Sequence, residues 1–201
     1  MFTHRIVNLL AALKPSTVQA HCDTAEGPAV KDGHKALETG NINYALKWIP
    51  AAGETELRDV FGKALKVRTL GADAAELADR LFLETLVRIH RMGEGVGFTG
   101  VQPAGTHIDP VVTAADEAIA LGTAAALLPM VPEERRAELD KRFHAAIAAK
   151  DFDVDDVAAG RRYLAAYVSY FKYAEGEDHE HDGHEHDGHE DHGHEHPGHE
   201  H

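Results

Sequence analysis

At 201 residues, with a formal charge of −14 and one cysteine, the chain has room for a single globular domain but not for an internal disulfide or a paired-cysteine site. The charge is uneven: residues 177–201 contribute −10 and residues 1–20 contribute +2, which leaves −6 for residues 21–176. No basic cluster runs along a predicted face, so nucleic acid is not an expected partner, and no stretch reaches the length of a membrane span.

Residues 1–20 support two readings. Arg5, the apolar run Ile6 to Leu13 and the small residues around Ala20 fit an export peptide, whose removal would make His21 the first residue and place the protein in the periplasm or outside the cell. Lys14 and Pro15 interrupt that pattern and fit an amphipathic first helix of a cytoplasmic protein. His21, Cys22, Asp23 and Glu26 follow, a mixture of imidazole, thiol and carboxylates within six residues that is enough for a partial metal site. In an unprocessed chain the simpler expectation is a buried Cys22 beside an exposed loop residue, His21.

From Pro28 the chain reads as successive helices. Pro28 suits a first helical position and Gly40 a stop, and Asn41 is placed to cap a short helix through Ile49. Leu57, Val60, Phe61, Ala64 and Leu65 mark one buried stripe, and Leu77, Leu81, Phe82, Leu86 and Ile89 mark another. At the end of that helix, ETLVRIHRMGEG sets Glu84, His90 and Glu94 at the mouth of a glycine-rich stretch, Met92 to Thr106, that reads as a linker or an active loop. There these three side chains could meet His107 or the His21 segment in a second candidate metal cluster; helix-end electrostatics is the simpler explanation.

The second half repeats the first at an offset of 82 residues: Pro28 matches Pro110, Gly40 matches Gly122, and Leu57, Phe61 and Ala64 match Leu139, Phe143 and Ala146. Helix starts, breaks and core positions recur together, which predicts two related four-helix units, 28–90 and 110–173. Tyr163, Tyr167, Tyr170 and Phe171 read as a core stripe of the second. The expected fold is all-α: a bundle-like domain over 21–176, built from two pseudo-repeated helical units packed as one body.

Residues 177–201 are different in kind. They hold His179, His181, His184, His186, His189, His192, His194, His196, His199 and His201, ten carboxylates and four glycines, with Pro197 as the one apolar side chain. Such a segment has no surface to bury and is expected to be a disordered tail. Imidazoles two and three residues apart, interleaved with Asp and Glu, suit nickel, zinc or copper ions. The repeated HDGHE is unlike the pure histidine run of a purification tag.

The sequence HCDT followed by Gly27-Pro28, with KALETGNINYALKWI, ETLVRIHRMGEG and FTGVQPAG, resembles a family of uncharacterised bacterial proteins over about Ala20 to Tyr173. That resemblance implies an export peptide ending before His21 and no established activity. His21, Cys22, Asp23 and Gly27 are also similar to the N-terminal hook of nickel-containing superoxide dismutase, which implies metal ligation by the His21 amine and imidazole and by the Cys22 thiolate and amide. Glu26 stands where that enzyme has a second thiolate, so redox chemistry is the alternative expectation. The leading one is a protein that binds, buffers or delivers a transition metal, with metal ions and a metal-handling protein as partners; the third is a helical interaction module with an incidental tail.

Overall fold

The computed structural model describes residues 21–176, so the reading of residues 1–20 and the ten histidines of residues 177–201 lie outside the described residues. Within them the chain is all-α. Its helices are α1 (Pro28–Thr39), α2 (Asn43–Leu46), α3 (Glu54–Val67), α4 (Ala72–Gly93), α5 (Pro110–Leu121), α6 (Glu133–Lys150) and α7 (Val157–Ala174). No described helix is long and apolar enough to cross a membrane.

The repeat signals act as the physics requires. Pro28 and Pro110 each open a helix of 12 residues at a position whose N–H has no intrahelical acceptor. Gly40 and Gly122 end those helices with φ of 69° and 73°, where a side chain would be strained. Asp109 caps α5 by accepting from the Val111 N–H at 2.8 Å. Asn41 accepts from the Asn43 N–H at 3.0 Å at the start of α2. In the first unit α1 and α3 pack on α4; in the second α5 and α6 pack on α7. Leu57, Phe61 and Ala64 of α3 are buried, as are Leu139, Phe143 and Ala146 of α6, and Phe61 meets Phe82 as Phe143 meets Tyr170.

Two expectations need correction. Leu77 and Leu81 are exposed, at 67% and 58%; the inward row of α4 is instead Ala78, Phe82 and Leu86, with the small Ala78 marking the face that its neighbour approaches. In the second unit a 3-10 turn, Leu128–Met130, replaces the short α-helix, because Pro129 has no N–H to give to an α-helical bond.

The units are locked together at Arg161 of α7. Its guanidinium donates to Glu54 Oε1 at 2.6 Å, to the Leu46 carbonyl at 3.3 Å and to the Ile49 carbonyl at 3.2 Å, all in the first unit. Asp155 adds bonds from the Asn41 and Asn43 side chains, and Gly160 leaves room for Lys47 and Phe152, whose atoms a β-carbon would meet at 3.0 Å. Arg161→Ala should therefore lower stability by about 2 kcal/mol in denaturant unfolding. The hydrogen bond from Arg161 holds the Glu54 carboxyl below its ordinary value. That contribution is present above the unfolded carboxyl's range and fades as pH falls, so the variant's deficit should shrink toward acid pH.

Candidate functional site

The segment His21 to Gly27 is folded into the body. His21 and Cys22 have helical backbone, and the His21 carbonyl accepts from the Thr24 hydroxyl at 3.1 Å, which bends the chain back on itself. Gly27 is required for that bend, since a β-carbon there would lie 2.2 Å from the His21 carbonyl oxygen. The glycine-rich stretch after α4 fastens the segment: the Gln102 N–H donates to the Asp23 carbonyl and the Ala25 N–H to the Gln102 carbonyl, both at 2.9 Å, in an isolated parallel bridge. Residues 96–102 thus serve as a clasp on residues 23–25.

His21 is not the exposed loop residue expected of an unprocessed chain. Its ring stacks on Phe171 with centroids 6.0 Å apart, and its Nε2 lies 2.8 Å from Asp116 Oδ2. Asp116 Oδ1 accepts from the Tyr167 hydroxyl at 2.8 Å. These partners, from α5 and α7, draw the imidazole inward.

Beyond His21 the segment meets the end of α4. Asp23 is buried, and its Oδ2 lies 2.7 Å from Nη1 of the buried Arg91, whose Nε donates to the Gly97 carbonyl at 3.1 Å. Burial pushes the Asp23 carboxyl up to about 7, against the opposing charge of Arg91 and with the help of Glu94. Burial, then the charges of Glu94, Asp23 and Asp116, push the Cys22 thiol well above its ordinary value despite Arg91. His90 stands one turn before Glu94. Its Nδ1 is 2.7 Å from the Trp48 carbonyl, which can only accept, so Nδ1 carries a hydrogen and, in the neutral ring, Nε2 presents a lone pair. That Nε2 is buried without a hydrogen-bond partner, 3.7 Å from Glu94 Oε1. Asp23 Oδ1 and Glu94 Oε2 are likewise buried without hydrogen-bond partners.

The structure therefore brings Cys22, Asp23, His90 and Glu94 to one seam and leaves the other candidates outside it. Glu84 pairs outward with Arg80 at 2.9 Å, His107 is exposed, and exposed Glu26 accepts from the Gly105 N–H at 3.4 Å. Among the described residues no three His, Cys, Asp or Glu side chains are already gathered as a metal cage. Arg91, Asp116 and the Trp48 carbonyl complete the site and were not singled out from the sequence. For Arg91 a signal was there: the rows Phe82, Leu86, His90 and Leu83, Val87, Arg91, each spaced by four, put both polar residues on the buried face.

A family of unknown function, DUF6448, matches the chain over residues 26–173. No curated protein and no solved structure matches it. The family match takes in His90, Arg91, Glu94 and Asp116 and begins after His21, Cys22 and Asp23.

Asp23 should make stability fall as pH rises. Its carboxyl binds a proton up to about 7 in the fold but only near 3.8 when unfolded, so its cost is absent below about 4 and complete above 7. Asp23→Asn should flatten that slope in denaturation curves measured from pH 4 to 8, even while it lowers stability overall by leaving Arg91 without its counter-charge.

Proposed function

The chain belongs to this family of unknown function, so its chemistry has to be argued from its own residues, and we propose that it binds and buffers a divalent transition metal, nickel, zinc or copper, through the histidines of residues 177–201. The observation that carries the reading is ten imidazoles at spacings of two and three residues, interleaved with ten carboxylates. Imidazole is a ligand for all three metals, and the acidic groups concentrate cations around it. A store of this kind releases its metal to a metal-handling partner by ligand exchange. Removal of residues 1–20 would set that exchange in the periplasm or outside the cell.

The likeness to the nickel hook has less support. In the described arrangement the His21 imidazole is engaged with Asp116, and Cys22 is a buried thiol whose neighbouring carboxylates oppose its ionisation. A hook would have to open both contacts, and Glu26 offers no second thiolate.

Calorimetric titration with Ni(II) or Zn(II) should show several sites in the full-length protein and lose most of them in a chain ending at Gly176. Affinity at the lost sites should fall as pH drops through about 6.5, where protons displace metal from imidazole. Helicity and the metal-free melting temperature should barely change on truncation, since the removed segment has almost no apolar surface to pack. Equal metal stoichiometry in the two chains would overturn the reading and favour the helical interaction module.

A further inference from the structure

The seam between residues 22–23 and the end of α4 has an excess of buried acceptors that a cation would relieve. Seven buried side-chain atoms among the described residues have no hydrogen-bond partner. Arg68 Nε and Asp79 Oδ1 form an ion pair with each other at 2.7 Å, and Arg135 and Glu175 have other interactions. Three atoms remain: Asp23 Oδ1, His90 Nε2 and Glu94 Oε2. Two are carboxylate oxygens, and the third is an acceptor in the neutral form of the His90 ring. They belong to one seam, with the chain's one thiol, Cys22, inside the fields of both carboxylates. The nearest cation, Arg91, is turned to the other oxygen of Asp23 and to Gly97.

We propose that the helical body holds one borderline divalent metal ion of its own, bound by the Cys22 thiolate, Asp23 Oδ1, His90 Nε2 and the Glu94 carboxylate. His90 already has the arrangement of a ligand, with one ring nitrogen anchored to a backbone carbonyl so that the other presents its lone pair in a fixed direction. The 3.7 Å between His90 Nε2 and Glu94 Oε1 is close to the roughly 3.3 Å spanned by two atoms that each bind a tetrahedral ion at about 2.0–2.1 Å. No three of these side chains are already gathered around one point, so the Asp23 and Cys22 side chains have to turn toward His90 and Glu94 as the ion binds. As the sulfur–metal bond forms, the thiol proton leaves to solvent, and the ion's two positive charges compensate the acidic groups that Arg91 alone leaves in excess. One thiolate, one imidazole and two carboxylate oxygens make a donor set for zinc, cobalt or nickel rather than for calcium or magnesium. A cavity of about 980 Å³ between the two units reaches His90 and Glu94 but not Cys22 or Asp23, and Lys47, Lys141, Arg142 and Lys172 also line it.

This centre uses no residue of 177–201, so it and the tail reading can fail separately. Its test is Co(II) titration of the full-length protein, followed by near-ultraviolet thiolate-to-metal charge transfer. The chain has one cysteine, so the band reports on Cys22 alone even while the tail imidazoles take up further Co(II). One saturating band is expected, and Cys22→Ser should abolish it. His90→Ala and, as the milder change at a partly exposed side chain, Glu94→Gln should each weaken the affinity read from the band by about tenfold or more. Helicity of each variant is checked by circular dichroism, and Glu94→Gln decides the matter if His90→Ala unfolds. Absence of the band in the folded wild-type protein at excess Co(II) overturns the proposal. So does a band that Glu94→Gln leaves unchanged, which would assign the thiolate to an N-terminal hook instead.

Discussion

The ion pair between Asp23 and Arg91 is the constraint on which the site's architecture depends. Through it one guanidinium joins three stretches distant in sequence: the His21 to Gly27 segment, the last turn of α4 and the glycine-rich stretch that follows, where the Gly97 carbonyl accepts from Arg91 Nε and the Val96 N–H donates to the Arg91 carbonyl. Taking both charges out of water is expensive, and their attraction repays that cost only when the remaining polar atoms are also satisfied. Gly97 satisfies part of the guanidinium. The second carboxylate oxygen of Asp23 has no such partner, and this shortfall carries the argument for a cation in the seam.

A clasp of this kind also explains why the glycine-rich stretch is ordered on the body. Gly95, Gly100 and Gly105 take positive φ values of 74°, 90° and 76°, where most side chains would be strained. These turns let residues 96–102 double back along residues 23–25 and supply two backbone hydrogen bonds. Composition alone, rich in glycine with one proline, reads equally well as a linker. The difference lies in long-range bonds that no local pattern carries.

Most of the fold was legible because its signals are local. Proline at helix starts, glycine in left-handed caps and an 82-residue offset that preserves both are consequences of backbone sterics, and the structure has them at the expected positions. Burial was read less well where it depends on which of two adjacent rows faces the neighbour, as with Ala78 in and Leu77 out. The site divides along the same line. His90 and Glu94 stand four apart on one helix, a relation that sequence gives directly. Their approach to the His21 segment was open to conjecture from the mouth of the glycine-rich stretch, whereas the capture of His21 by Asp116, 95 residues away, had no sequence signal at all.

Two kinds of metal ligand on one chain would divide the work of handling an ion. Imidazoles in a segment so poor in apolar residues would impose little geometry on an ion, so their preference would follow the general order of affinities, with copper bound best. In the seam one donor, His90 Nε2, is given its direction beforehand by the Trp48 carbonyl, and the neighbouring Cys22 would add a soft sulfur. Selection by such a site is slower, because the thiol must lose its proton against the pull of two carboxylates, and tighter, because release of the ion restores their mutual repulsion. A fast, unselective collector linked to a slow, selective holder separates capture from choice. In that arrangement the acidic groups around Cys22, which disfavour a bare thiolate, would favour its pairing with a multivalent cation.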